Sequence, residues 1–119
     1  MAALQLAEGE QIEYAVPFDL VYEQGAESSW IVVTGQRLFV SEPEQHGKWR
    51  VKQWKLADCQ EVKCEHQVHC GIVTVLKNGQ WEFACRFSMR HIVRVSYVAR
   101  GADLIAKGEE GKIQSKEYE

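Results

Sequence analysis

Five cysteine and histidine residues in the middle of the chain have the side chains best suited to hold a metal ion: Cys59, Cys64, His66, His69 and Cys70. Zinc prefers thiolate and imidazole ligands, and a closed structural site needs four of them to converge. No CxxC pair is present, and on a regular strand Cys64 and His66 share a face from which Cys59 points away. We therefore expect no metal and no cofactor, with the cysteines as small buried residues. A zinc or thiol sensor is the weaker alternative.

Catalysis would require a nucleophile, a base and oxyanion donors at converging positions. Four cysteines and four histidines make a chance pair easy to find, but none lies at a strand-to-helix elbow. Glu61 and Glu65 are better explained as the solvent face of a strand than as an acid–base pair. The sequence therefore predicts a domain that is not an enzyme.

Three cations at alternate positions, Lys48, Arg50 and Lys52, form the best candidate for an anion site, with Arg37 nearby across the predicted sheet. On a strand they would lie roughly 6.6 Å apart. Each would contribute about 1 kcal/mol at an anionic lipid surface. The simpler explanation, which we favour, is a solvated face that keeps a strand edge soluble.

A second candidate surface lies on the predicted helix. Arg90, Arg94 and Tyr97 follow one another at helical spacing, and apolar residues cover more than one face of the same segment. Surplus apolar surface on a helix often marks a protein contact. These three residues are therefore our candidates for a partner surface, and core packing is the alternative for the apolar faces.

The pattern of apolar residues predicts a mainly β domain closed by one helix. Period-two alternation and turn residues give about seven strands, at residues 11–23, 29–34, 37–41, 48–56, 59–66, 71–77 and 80–87. At Ser88, a candidate N-cap, the period changes to about 3.6, which predicts a helix over residues 88–107. Gly35-Gln36 fits a type II′ hairpin, and Asn78-Gly79 is the strongest hairpin signal in the chain.

The Asn78-Gly79 turn fixes a register for its hairpin, with Leu76 opposite Trp81, Thr74 opposite Phe83 and Ile72 opposite Cys85. We expect this face to be the core. The substitution Trp81→Ala should then destabilise the fold by roughly 3–5 kcal/mol.

Seven antiparallel strands must bury a common face, so the sheet should curl into a barrel or split into two packed sheets, with the helix capping one open end. That layout is the one found in pleckstrin-homology-like (PH-like) domains. We assign residues 1–108 to this domain and the charged residues 109–119 to a linker or tail.

Charge and hydropathy narrow the function classes. The chain of 119 residues has a formal net charge of −3, which does not favour nucleic acid as a ligand. No apolar run approaches the roughly 18 residues that a membrane helix needs. Residues 1–10 carry two glutamates and no lysine or arginine, unlike the basic start of a secretory signal. We therefore expect a cytoplasmic domain with free thiols.

Several segments resemble bacterial PH-like domains. A Gly9-Glu10 pair precedes the first strand, and residues 32–40 (VVTGQRLFV) are similar to the "lvTdrRll" hairpin of that family. Residues 86–110 (RFSMRHIVRVSYVARGADLIAKGEE) are similar to the "RFS…VAR.L..L..GEE" stretch that closes the N-terminal PH-like domain of a group of bacterial ABC exporters.

This resemblance implies an accessory or regulatory domain at the cytosolic face of the inner membrane. Its partner would be another protein or the remainder of an ABC transporter, whose ribbon, membrane helices and nucleotide-binding domain are not among these residues. The alternative is a free-standing PH-like module that binds anionic lipid or a protein, and a homo-oligomer is compatible with both.

Overall fold

A computed structural model describes residues 4–19, 29–44 and 47–108. In this part of the chain, seven strands form two antiparallel sheets, ordered β1-β2-β3-β4 and β5-β6-β7, and one α-helix follows them. The strands are β1 (Ile12–Phe18), β2 (Ser29–Thr34), β3 (Arg37–Pro43), β4 (Trp49–Lys55), β5 (Cys59–His66), β6 (Cys70–Lys77) and β7 (Gln80–Ser88), and the helix is α1 (Ile92–Ala106). The mainly β prediction, with seven strands and a C-terminal helix, is confirmed, and the strands form two sheets and not a closed barrel.

The hydrophobic core lies between the two sheets and under the helix. Each sheet and α1 contribute fully buried apolar side chains, among them Ile31, Val33, Leu38, Val40, Val73, Val75, Phe87, Val95 and Val98. Because every second residue of a strand points to the same face, these positions mark the inner face of each sheet. Both sheets and the helix therefore contribute side chains to one core cluster.

The helix covers the edge between β1 and β5. It packs mainly on β5, and its Asp103 Oδ1 accepts a hydrogen bond from the backbone N–H of Val62 in β5 at 2.9 Å. Gly101 lets α1 approach β1, because a Cβ atom there would lie 2.6 Å from the ring of Tyr14. Any larger residue would therefore force either the ring of Tyr14 or the helix to move.

The opposite edge, between β4 and β7, is joined by side chains. Lys52 Nζ donates to the backbone oxygen of Ala84 at 2.5 Å, and Trp54 Nε1 donates to Glu82 Oε1 at 3.1 Å. These two bonds connect the sheets where the strand order supplies no backbone ladder.

The two predicted tight turns have different outcomes. Asn78 and Gly79 have φ values of 54° and 76°, as a type I′ turn requires, so that hairpin is confirmed. Gly35 does not have the positive φ of a type II′ turn, so that prediction is wrong. There the Thr34 hydroxyl accepts from the backbone N–H groups of Gln36 and Arg37, at 3.1 and 2.9 Å, and stabilises the turn in place of a glycine conformation.

The hairpin of β6 and β7 begins in the predicted register and then departs from it. Leu76 pairs with Trp81 and Thr74 with Phe83, as predicted. Beyond them, a bulge inserts Ala84, so that Val73 pairs with Cys85, and Ile72 pairs with Arg86 instead of Cys85.

The prediction of which face of this hairpin is buried is wrong. Trp81 and Phe83 are 48% and 50% exposed, whereas Val73, Val75 and Phe87 are completely buried. Both faces of β6 carry apolar side chains, so alternation alone does not identify the inner one.

Gly71 helps to fix the true inner face, because any Cβ there would lie 2.1 Å from the ring of Phe87. Cys85 is buried as predicted.

The N-terminal end of the helix also differs from the prediction, whereas the C-terminal end lies close to it. A short 3-10 turn (Met89–His91) precedes α1, and the Ser88 hydroxyl is buried without a hydrogen-bond partner, so its predicted capping role is wrong. At the C-terminal end, Gly108 has φ 70° and donates to the backbone oxygen of Ile105, as expected of a terminating glycine. The predicted tail at residues 109–119, and the end of the first predicted strand, lie outside the described residues.

The burial pattern gives opposite expectations for two aromatic residues of β7. Phe87→Ala should lower the free energy of unfolding by roughly 3–5 kcal/mol, because it leaves a cavity in the core. Trp81→Ala should lower it by less than about 1 kcal/mol, because the indole is half exposed. Urea denaturation of both variants tests this, and a larger loss for Trp81→Ala than for Phe87→Ala would contradict the face assignment.

Candidate functional site

Of the three cysteines suggested as metal ligands, Cys59 is buried, and Cys64 and Cys70 are half-buried. Cys59 Sγ donates to the backbone oxygen of Lys55, and Cys64 Sγ lies 3.5 Å from Ser96 Oγ on α1. Burial raises the pKa of Cys59, Cys64 and Cys85, which disfavours the thiolate that zinc needs. Within residues 4–19, 29–44 and 47–108, no three Cys, His, Asp or Glu side chains converge as a metal site would require.

The basic residues suggested as an anion site are mostly paired with carboxylates. Arg50 Nε lies 3.4 Å from Glu44, and Lys52 Nζ lies 3.3 Å from Glu42. Lys48 is exposed and precedes β4 instead of lying on it. These ion pairs reduce the positive charge that the strand face presents.

Arg37, the fourth candidate cation, belongs to a buried network around Glu10. The Glu10 carboxylate is fully buried and accepts from Arg37 Nε at 3.0 Å, from the Thr34 hydroxyl at 2.6 Å and from the Ala7 backbone N–H at 2.8 Å. A further guanidinium hydrogen of Arg37 goes to the backbone oxygen of Gln5 at 2.9 Å. The network fastens the N-terminal segment to the turn between β2 and β3.

Hydrogen bonds from Arg37 are the main reason that the pKa of Glu10 falls from an ordinary 4.5 to about 2. The pairing was not predicted from the sequence. Glu10 and Thr34 are 24 positions apart in the sequence, and no local pattern indicates that they meet.

The predicted partner surface on the helix is divided. Arg90 lies in the 3-10 turn before α1, and its guanidinium holds both carboxylate oxygens of Asp19 at 2.6 Å. Tyr97 packs edge-on against Tyr14, with ring centroids 5.4 Å apart. Arg94 is exposed, beside a Val93 side chain that is 79% exposed. The surface thus consists of one paired arginine, one exposed arginine and a half-exposed tyrosine.

The sequence analysis missed a pair of exposed aromatic rings, Trp81 and Phe83, on the outer face of β5, β6 and β7. Strand pairing arranges nine side chains there in three rows across the sheet. The rows are Glu61–Leu76–Trp81, Lys63–Thr74–Phe83 and Glu65–Ile72–Arg86. We call these nine residues the outer face. The signal was present in the alternation of β7 but was assigned to the core.

Cations lie over the two exposed rings of the outer face. Lys63 Nζ is 5.6 Å from the centroid of Trp81, and Lys52 Nζ reaches from β4 to 5.1 Å from the centroid of Phe83. The guanidinium of Arg86 is 6.0 Å from the same phenyl ring. Such contacts hold the rings in place at the surface.

An open cleft of about 740 Å³ lies between the N-terminal segment, the β2–β3 turn and the end of α1. Leu6, Leu56 and Ile105 give it an apolar part, and Gln36 and Lys55 a polar one. Among its described lining residues there is no cysteine, histidine or carboxylate. The described lining therefore provides an apolar surface and two cations, Lys55 and the Glu10-paired Arg37, and no acid–base pair.

Neither protein-family models nor curated proteins give a match to this chain. In the part of the chain that the structure describes, no helix is both long and apolar enough to cross a membrane.

The buried carboxylate predicts a specific pH dependence. A depressed folded-state pKa means that Glu10 stabilises the fold above its ordinary pKa of 4.5, and that this contribution is lost as the pH falls towards about 2. Glu10→Gln should lower the free energy of unfolding by about 3 kcal/mol at neutral pH, because it leaves Arg37 unpaired. The variant should also lose less stability on acidification than the parent chain.

Thermal melts from neutral to acidic pH test this, and Glu13→Gln on the exposed side of β1 is the matched control. If the melting temperatures of Glu10→Gln and of the parent chain fell by the same amount as the pH is lowered, the stabilising role assigned to the Glu10 carboxylate would be contradicted.

Proposed function

We propose that this chain is a non-enzymatic interaction domain that binds a protein through the outer face of the β5–β6–β7 sheet. The observation that carries the proposal is the exposed pair Trp81 and Phe83 on a sheet whose other face is already the core. Contiguous exposed apolar patches on soluble domains commonly mark binding surfaces.

The composition of the outer face suits a protein ligand. Tryptophan and arginine are the residues that most often dominate binding energy at protein interfaces, and Trp81 and Arg86 lie on one strand. Leu76 and Ile72, both half-buried, extend the apolar surface from β7 onto β6. Acidic side chains on β5 make an anionic membrane a poorer match.

We further propose that the domain is the N-terminal PH-like domain of a bacterial ABC exporter, at the cytosolic face of the inner membrane. This proposal rests on the sequence motifs at residues 9–10, 32–40 and 86–110. The gene tests it directly. We expect a reading frame that continues past residue 119 into apolar runs of about 20 residues and a nucleotide-binding domain. A stop codon at that point would contradict the exporter assignment and leave the interaction domain standing.

Site-specific crosslinking tests the outer face. A benzophenone amino acid in place of Phe83 should form a discrete covalent adduct with a protein in the source cells, because that ring is half exposed and lies in the middle row of the outer face. The same probe at Glu13 on β1 is the control. Equal adducts from both positions, or none from position 83, would contradict the proposal.

The lipid alternative predicts a different result with vesicles. Because Arg37, Arg50 and Lys52 already face carboxylates, we expect phosphatidylglycerol vesicles to pellet no more of the domain than phosphatidylcholine vesicles. Lys48→Glu and Arg50→Glu should leave the pelleted fraction unchanged. Salt-sensitive pelleting that these substitutions abolish would support the lipid alternative instead.

A further inference from the structure

We propose that the partner of the outer face is a second copy of this chain, related by a two-fold axis that runs parallel to β6. The inference rests on the proposed function, since it assumes that this face binds a protein. It adds the identity of the partner and the orientation in which the two copies meet.

The outer face is polarised from one edge to the other. Its β5 column carries two carboxylates and one ammonium group, from Glu61, Glu65 and Lys63. Its β7 column carries two aromatic rings and the guanidinium of Arg86. The central β6 column is uncharged. A surface of this kind has an acidic edge, an apolar centre and a basic aromatic edge.

A two-fold axis parallel to the strands places the β5 column of one copy over the β7 column of the other and keeps each row in register. Glu65 then faces Arg86 of the second copy, and this contact occurs twice, once on each side of the axis. The carboxylate–guanidinium pairing is favourable. Lys63 lies over the row of Phe83, whose ring already has Lys52 and Arg86 of its own copy beside it, so the orientation is supported by the Glu65–Arg86 pair.

An axis across the strands is less favourable. It places β5 over β5, so that Glu61 of one copy faces Glu65 of the other, although Trp81 then faces Arg86. Like charges brought together at an interface disfavour binding. The carboxylates of β5 therefore favour the axis parallel to the strands over the axis across them.

The groups that this arrangement uses are available in the single chain. The Lys63–Glu65 ion pair is about half exposed at both side chains, so each can turn towards a new partner. Arg86 is exposed, and within the described residues no carboxylate forms an ion pair with it. The aromatic rings beside it supply the apolar contact that charge pairs alone lack.

Sedimentation velocity of the purified chain, from about 10 μM to about 1 mM, should show a concentration-dependent dimer. The double substitution Trp81→Ser and Phe83→Ser should remove the dimer and leave the urea midpoint nearly unchanged, because both rings are half exposed. Arg100→Glu on the exposed side of α1 is the control and should leave the dimer intact.

Charge reversal tests the orientation. Glu65→Arg and Arg86→Glu should each weaken self-association by about tenfold or more, because like charges then meet twice. An equimolar mixture of the two variants should form a mixed dimer of parental strength, since each copy then presents the charge that the other requires. Failure of the mixture to associate more strongly than either variant alone would overturn the orientation.

Two further outcomes would overturn the inference. One is a chain that stays monomeric up to about 1 mM, and the other is a dimer that survives the double substitution. If the chain is monomeric while the probe at position 83 still captures a different protein, the proposed function holds and self-association fails. Vesicle binding that the double substitution abolishes would assign the face to a membrane and overturn both.

Discussion

The structure depends on one constraint: two sheets must pack on a common core although no strand belongs to both. Neither edge of the sandwich is closed by a backbone ladder among the described residues, so each is closed in another way. At the β1 and β5 edge, α1 covers the gap and depends on Gly101 for its close approach to Tyr14. At the β4 and β7 edge, Lys52 and Trp54 cross from one sheet to the other. The position of Lys52 also explains why it contributes little to an anion site.

The sequence predicted the elements well and their inner faces less well. Alternation and turn residues located the strands, and Asn78-Gly79 fixed the start of the last hairpin, because these signals are local. The burial of β7 is not a local property. Its strand carries large apolar side chains on both sides, and the choice between Phe87 and Trp81 depends on Gly71, on the Ala84 bulge and on the neighbouring sheet. The error therefore placed two half-exposed aromatic rings, those of Trp81 and Phe83, in the core.

In the candidate sites, too, the sequence predicted what depends on neighbouring residues and missed what depends on residues distant in the chain. Lys48, Arg50 and Lys52 were recognised by their spacing, but their net effect depends on Glu42 and Glu44, across the β3–β4 hairpin. Glu10 and Arg37 form an ion pair although they are 27 positions apart in the sequence, and neither composition nor a local pattern predicts it. The contact nevertheless fastens the N-terminal segment to the domain, because one carboxylate accepts hydrogen bonds both from Ala7 beside it and from Thr34 and Arg37 at the β2–β3 turn.

The bond between the Val62 amide and Asp103 has a consequence for local opening of the fold. A backbone N–H inside a sheet normally exchanges with solvent when its ladder opens. The Val62 N–H is held instead by a carboxylate on the helix, 41 residues further along the chain. Its hydrogen exchange can therefore report detachment of α1 from β5 even while the ladder between β5 and β6 is intact. The exchange rate of this one strand amide thus measures how often the helix detaches.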